Sequence, residues 1–120
     1  MRVLVGVDGT DHGMHALNRT IERAQEAGNE VTVAVYTADD SSLDDVEASV
    51  RDRLETASFE AGVERITEDP GSRLIELAED GGYDRIALPG GQRSPLGKIQ
   101  LGGVLEFVLL NARTTVTLVR

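Results

Sequence analysis

Two uninterrupted apolar runs, Val3-Leu4-Val5-Gly6-Val7 and Val31-Thr32-Val33-Ala34-Val35-Tyr36, constrain this chain more than any other feature. β-Branched residues at adjacent positions leave no polar face, so each run reads as a strand buried on both sides, the condition of a parallel sheet. Helical stripes separate and follow them: Met14, Leu17, Ile21 and Ala24, then Leu43, Val46, Val50, Leu54 and Ala57. A short third strand is read at Val63–Thr67, a third helix around Leu74, Ile75, Leu77 and Ala78, and a fourth strand at Arg85–Leu88. A fourth, amphipathic helix is read from Leu101 to Ala112, with Val104, Leu105, Val108 and Leu109 on its apolar side, and a fifth strand at Thr114–Val119. The punctuation agrees: Thr10-Asp11 as a helix cap, Gly28-Asn29 as a stop, Gly62 as the break after the second helix, Pro70 at the start of the third and Gly81-Gly82 at its end. Strands alternating with helices imply right-handed crossovers and an α/β fold, an open five-stranded parallel sheet flanked by four helices. The 120 residues hold one such domain, 1–120.

Composition narrows the partners. Aromatic residues make up 3% of the chain, so the core is aliphatic. Net charge is −9, from 21 acidic and 12 basic residues, and Lys98 is the one lysine. Acidity with lysine depletion reads as adaptation to a salt-rich cytoplasm, where screening relieves self-repulsion, with an ordinary acidic protein as the alternative. No basic face is visible to displace counterions from nucleic acid. Without cysteine, disulfides, thiolate metal sites and thiol catalysis are excluded. Met1-Arg2 leads straight into a strand and no 18-residue apolar run follows, so neither a signal peptide nor a membrane span is read and the expected location is the cytoplasm. His12 and His15 have metal-compatible spacing but no third ligand, and read as a solvated face.

Ligands of open parallel sheets lie beyond the carboxyl ends of the strands, where the strand order reverses. Two loops there stand out. One, Asp8-Gly9-Thr10, follows the first strand. The other, Gly90 to Lys98, follows the fourth strand and leads to Gly102-Gly103 at the start of the last helix, where free N–H groups and the helix dipole favour an anion. Arg93, Ser94 and Lys98 add two cations and a hydroxyl to that loop. If the first and fourth strands are neighbours, the two loops face one crevice.

The order of Val3-Leu4-Val5-Gly6-Val7-Asp8-Gly9-Thr10, then Tyr83-Asp84-Arg85-Ile86-Ala87-Leu88-Pro89-Gly90, then Leu101-Gly102-Gly103-Val104 with Val108, Ala112 and Val116–Val119, resembles the universal stress protein family over the whole length. The resemblance implies an adenine-nucleotide alpha hydrolase-like architecture with strand order 3-2-1-4-5. It implies that Asp8 lies near an adenosine, with Val7 and Gly9 beside it, and that the backbone of Val35 meets the adenine. Gly90, Gly91, Gly102, Gly103 and Val104 would line ribose and phosphates, and Arg93, Ser94 and Lys98 extend that set. The implied ligand is ATP or another adenine nucleotide, with Mg if ATP is bound, and the implied assembly is a homodimer through strand 114–119.

The chain departs from the pattern of ATP-binding members, which runs glycine, two residues, glycine, nine residues, glycine, then serine or threonine. From Gly90, the second glycine position holds Arg93, eight residues separate it from Gly102, and the hydroxyl position holds Gly103. Three readings follow: a nucleotide-binding regulator, a dimeric scaffold with a degenerate pocket, or a slow ATPase. No catalytic residue is assigned, because no general base or metal pair is placed beyond Asp8. The turn Val7-Asp8-Gly9-Thr10-Asp11 lacks the serine-glycine-glycine of adenylating pyrophosphatases, and Asp69 with Lys98 fits a phosphoacceptor receiver only loosely.

Overall fold

The computed structural model describes residues 1–37, 42–90, 92–93, 99–100 and 102–120, with backbone only at 92, 93, 99 and 100. The chain order is β1 (Arg2–Val7), α1 (Asp11–Ala27), β2 (Glu30–Val35), α2 (Leu43–Thr56), β3 (Gly62–Arg65), α3 (Pro70–Asp80), β4 (Arg85–Pro89), β5 (Gln92–Arg93), β6 (Ile99–Gln100), α4 (Gly103–Asn111) and β7 (Thr115–Val119). The main sheet has the order β3-β2-β1-β4-β7 with every neighbour parallel, which is the expected 3-2-1-4-5 arrangement of the five long strands.

Side-chain alternation sorts the sheet into two faces. Val3, Val5, Val7, Val31, Val33, Val35 and Ala87 pack with Leu17, Ile21 and Ala24 of α1 and Val46, Val50 and Leu54 of α2. Leu4, Ala34, Ile86 and Leu88 pack on the other face with Leu74 and Ala78 of α3 and Leu105 and Val108 of α4. β1 lies between two strands and between two helical layers, which is why its apolar run is continuous. At its start, the backbone of Arg2 and Asp84 close a reciprocal pair: Arg2 N donates to Asp84 Oδ2 at 2.7 Å, and Asp84 N to the Arg2 carbonyl at 2.8 Å. The Arg2 guanidinium lies 4.4 Å over the Tyr83 ring and donates to the Gly81 carbonyl.

Most caps fall where the sequence places them. Thr10 caps α1, its Oγ1 accepting from Gly13 N at 3.1 Å, and Gly28 closes the helix at φ 71°. Pro70 opens α3 behind Asp69, whose left-handed φ of 44° turns the chain into the helix.

Three expectations need correction. The second helix stops at Thr56, well before Gly62: Ser58 at φ 50° makes the reversal, and Gly62 joins β3 opposite Thr32. β3 accordingly runs Gly62–Arg65 rather than 63–67. The last helix spans Gly103–Asn111, and its outer side is largely apolar rather than polar: Leu109 is 40% exposed and Leu110 75%, with Glu106 the charged residue among them. The glycine loop after the fourth strand also contains a two-stranded antiparallel ribbon, with Gln92 opposite Gln100 and Arg93 opposite Ile99. Two-residue strands carry too little periodicity to be read from sequence.

Leu17→Ala is expected to lower unfolding free energy by about 2–5 kcal/mol, because the side chain is fully buried between α1 and the sheet. Leu110→Ala is expected to stay within about 0.5 kcal/mol in the isolated chain. Urea denaturation of the two variants checks both.

Candidate functional site

Because β1 and β4 are parallel neighbours, Asp8 and Gly90 leave the sheet at the same end. The two loops singled out in the sequence therefore share one side of the molecule, beyond the carboxyl ends of the strands.

The first loop is tightly built. Asp8 Oδ1 accepts from Thr10 N at 3.1 Å and from Thr10 Oγ1 at 2.6 Å, and Thr10 in turn caps α1. Asp8 thus orients the cap residue. Gly9 has φ 83°, and a Cβ there would lie 2.7 Å from Val46 Cγ2, so both backbone angle and packing require glycine. One N–H at the amino end of α1, that of Gly13, is satisfied by Thr10 Oγ1, and the first turns of α1 and α4 each carry one acid, Asp11 and Glu106.

Val7 and Val35 are fully buried and reach the crevice only through their backbone. The Val7 carbonyl accepts from Tyr36 N at 3.1 Å, and the Val35 carbonyl from Ile66 N at 2.9 Å. Tyr36 lies directly after β2, and in the sequence it is no more than the last residue of an apolar run. It is 4% exposed; burial pushes its phenol well above the usual range, and the nearby Asp8 carboxylate pushes it the same way.

The second loop divides. Gly90 N donates to the Val119 carbonyl at 2.7 Å, and a Cβ at Gly90 would lie 3.0 Å from Arg120 Cγ. Its N–H is engaged in the sheet, and the close approach of the chain end accounts for the glycine. Arg93 has its backbone in β5, opposite Ile99. Gly91, Ser94 and Lys98 lie outside the described residues.

Gly102 and Gly103 differ from the other glycines of the site. Gly102 is the N-cap of α4 at φ −68°, ψ 159°, a conformation open to any residue, and makes no side-chain cap. A Cβ at either position meets nothing described within 4 Å. Neither backbone angle nor packing among the described residues calls for glycine here. Among the described residues nothing stands in front of the pair and no side chain caps the first N–H groups of α4, the kind of position that receives an anion. Val104, next in the helix, is partly buried against the core. Among the described residues, no cluster of three or more His, Cys, Asp or Glu side chains could hold a metal ion, and no helix is long and apolar enough to cross a membrane.

This is a doubly wound α/β protein with its candidate crevice at the reversal of strand order. The sequence profile of the Universal stress protein family matches residues 1–120, and the chain belongs to that family. No curated protein matches the chain. Among solved structures, a universal stress protein in complex with cAMP is similar at TM-score 0.78 and 23% identity, covering 100% of this chain and 96% of the other. Universal stress protein UspA from Lactobacillus plantarum is similar at TM-score 0.80 and 18% identity, covering 100% and 97%. The universal stress protein from Archaeoglobus fulgidus in complex with dAMP is similar at TM-score 0.65 and 20% identity, covering 100% and 98%.

The Tyr36 environment sets a pH dependence. The folded chain holds the phenolic proton more tightly than the unfolded chain, so this contribution is complete below the free phenol's pKa of about 10 and is lost as pH rises above it. The expected slope approaches about 1.4 kcal/mol per pH unit in that alkaline window. Tyr36→Phe is expected to flatten it in urea titrations at pH 9 to 11.

Proposed function

We propose that this chain is a nucleotide-responsive regulator that binds an adenine nucleotide between the loops after β1 and β4, and that a monophosphate suits it best. The observation that carries the reading is the Gly102-Gly103 pair: among the described residues, neither conformation nor packing asks for glycine there, nothing lies within 4 Å of a Cβ and no side chain caps the helix start. One helix terminus serves one phosphate well. The departures at Arg93, at the eight-residue spacing and at Gly103 weaken the case for a triphosphate cradle with Mg. Neighbouring structures hold cAMP and dAMP, both monophosphates, which supports the same choice. Asp8 and the backbone at Val35 would face the nucleoside, and Arg93, with Ser94 and Lys98, would supply countercharge from the connecting segment.

Equilibrium dialysis against AMP, cAMP and ATP with Mg tests this. Monophosphate binding is expected, and no binding of any of them at millimolar concentration overturns it. Gly102→Asp separates ligand from structure. Aspartate is a good N-cap and its Cβ has room, so stability is expected to hold or to rise by up to about 1 kcal/mol. A carboxylate on the phosphate position is expected to weaken nucleotide binding at least about tenfold.

A homodimer through β7 is the second part of the proposal. β7 is an edge strand with unpaired backbone groups along its outer side. The adjoining α4 exposes Phe107, Leu109 and Leu110, and Leu118 is exposed on β7. Three large apolar side chains exposed on one nine-residue helix, beside the single acid Glu106, call for cover. Because α4 begins at the proposed phosphate position, occupancy biases the same surface that dimerises, shifting an existing equilibrium. Sedimentation is expected to show a dimer that Leu110→Asp dissociates; a monomer at all concentrations excludes it.

A further inference from the structure

We propose that the groove between α1 and the β4–β7 edge of the sheet is a second binding site, specific for a compact multivalent oxyanion, either a phosphate or a polycarboxylate. The groove encloses about 200 Å³ and is lined by Arg19 and Arg23 of α1, Arg85 of β4 and Arg120 behind β7, with Ala87 and Thr117 among the strand residues beneath. None of its described lining residues is acidic, in a chain whose net charge is −9.

The fold creates this space. α1 covers β1, but β7 lies at the sheet edge beyond β4, and the small Ala87 pairs with Thr117 beneath the gap. Arg19 and Arg23 are four apart and share one side of the helix. Arg85 is in register with Val3, whose side chain packs with α1, so it stands on the same face. Arg23, Arg85 and Arg120 make no ion pair among the described residues, and Arg19 has only a 4.0 Å contact with Glu22.

Arg85 gives the independent sign. Its Nε is buried without a hydrogen-bond acceptor. A buried guanidinium donor left unpaired is destabilising, and three further guanidinium groups around the same space add repulsion. An oxyanion with several acceptor oxygens offsets both, because guanidinium forks bind such groups in pairs of parallel hydrogen bonds. The site lies along the α1 face, and among the described residues it approaches the proposed crevice where Val119 and Arg120 meet Gly90.

NMR detection of arginine Nε–Hε signals, with inorganic phosphate in one titration and citrate in another at constant ionic strength, tests the site. A saturable shift of the Arg85 signal is expected, and the arm with the tighter midpoint separates phosphate from carboxylate ligands. Arg85→Gln and Arg23→Gln are each expected to weaken that binding at least about tenfold. Arg23 is exposed on its helix, so this variant decides the matter even if Arg85→Gln fails to fold. Shifts that grow without saturation, or binding unchanged in Arg23→Gln, overturn the proposal. Both titrations are run at one fixed protein concentration, so that association through β7 stays constant and the added anion alone moves the signal.

Discussion

The burial of β1 on every side governs the rest of the molecule. Val3, Leu4, Val5 and Val7 are each at most 4% exposed, with β2 and β4 on either edge and a helical layer on either face. No charge is tolerated along such a strand without a partner. The first position at which polarity returns is Asp8, where the strand has left the sheet, and that residue immediately orients the cap of α1 through Thr10. The central strand therefore ends, by physical necessity, in a polar turn beside the loop of its parallel neighbour β4. The crevice is a consequence of packing before it is a feature of any ligand.

The glycines of this end show how the same residue type arises from unlike causes. Gly9 is fixed by a left-handed backbone and by Val46, and Gly90 by the chain end at Arg120. Gly102 and Gly103 answer to neither cause among the described residues. The sequence groups them with Gly90 and Gly91 in one glycine-rich pattern; Gly91 lies outside the described residues, and Gly90, unlike the pair at α4, has its N–H engaged by the Val119 carbonyl. A Cβ test of this kind separates glycines that build a site from glycines that leave room in it.

Much of the fold was legible because its signals are redundant. The continuous runs of β1 and β2, the stripe of α1 and the caps Thr10, Gly28 and Pro70 each point the same way. The misreadings have local physical reasons. α2 ends at Thr56 and the chain reverses at Ser58, whose positive φ no glycine announces, whereas Gly62 has the look of a stop. The β5–β6 ribbon is held by backbone pairing across two residues per strand, below the length at which side-chain alternation registers. In α4, Leu109 and Leu110 are as apolar as Leu105 and Val108, so composition could not tell the buried side from the exposed one; only packing against α3 does. At the site, Asp8 and Gly102 were visible from strand and helix ends. Tyr36 was not, because its relevance comes from burial beside Asp8 rather than from any local pattern. The arginine groove was equally hidden: its residues come from α1, β4 and the chain end, and only the register of the sheet brings them together.

Charge placement links these observations. Elsewhere on the surface, arginines answer carboxylates: Arg65 bridges Asp44 and Glu47, Arg51 pairs with Glu47, and Arg73 with Glu76. Such exposed pairs contribute little each, and weaken with salt. An acidic chain has carboxylates enough to neutralise every arginine in this way, yet the groove beside β7 gathers four and has no acidic side chain on its described lining, Arg19 alone reaching one at its rim, Glu22 at 4.0 Å. Random scatter of cations over a surface with net charge −9 would put them beside acids, since acids are the commoner neighbour. Segregation on one face, around a buried and unpartnered Nε, is therefore the arrangement that general solubility does not account for. Arg120 then stands where the arginine groove meets Gly90, so a charge held along α1 and a charge held at the start of α4 would act on the same chain end.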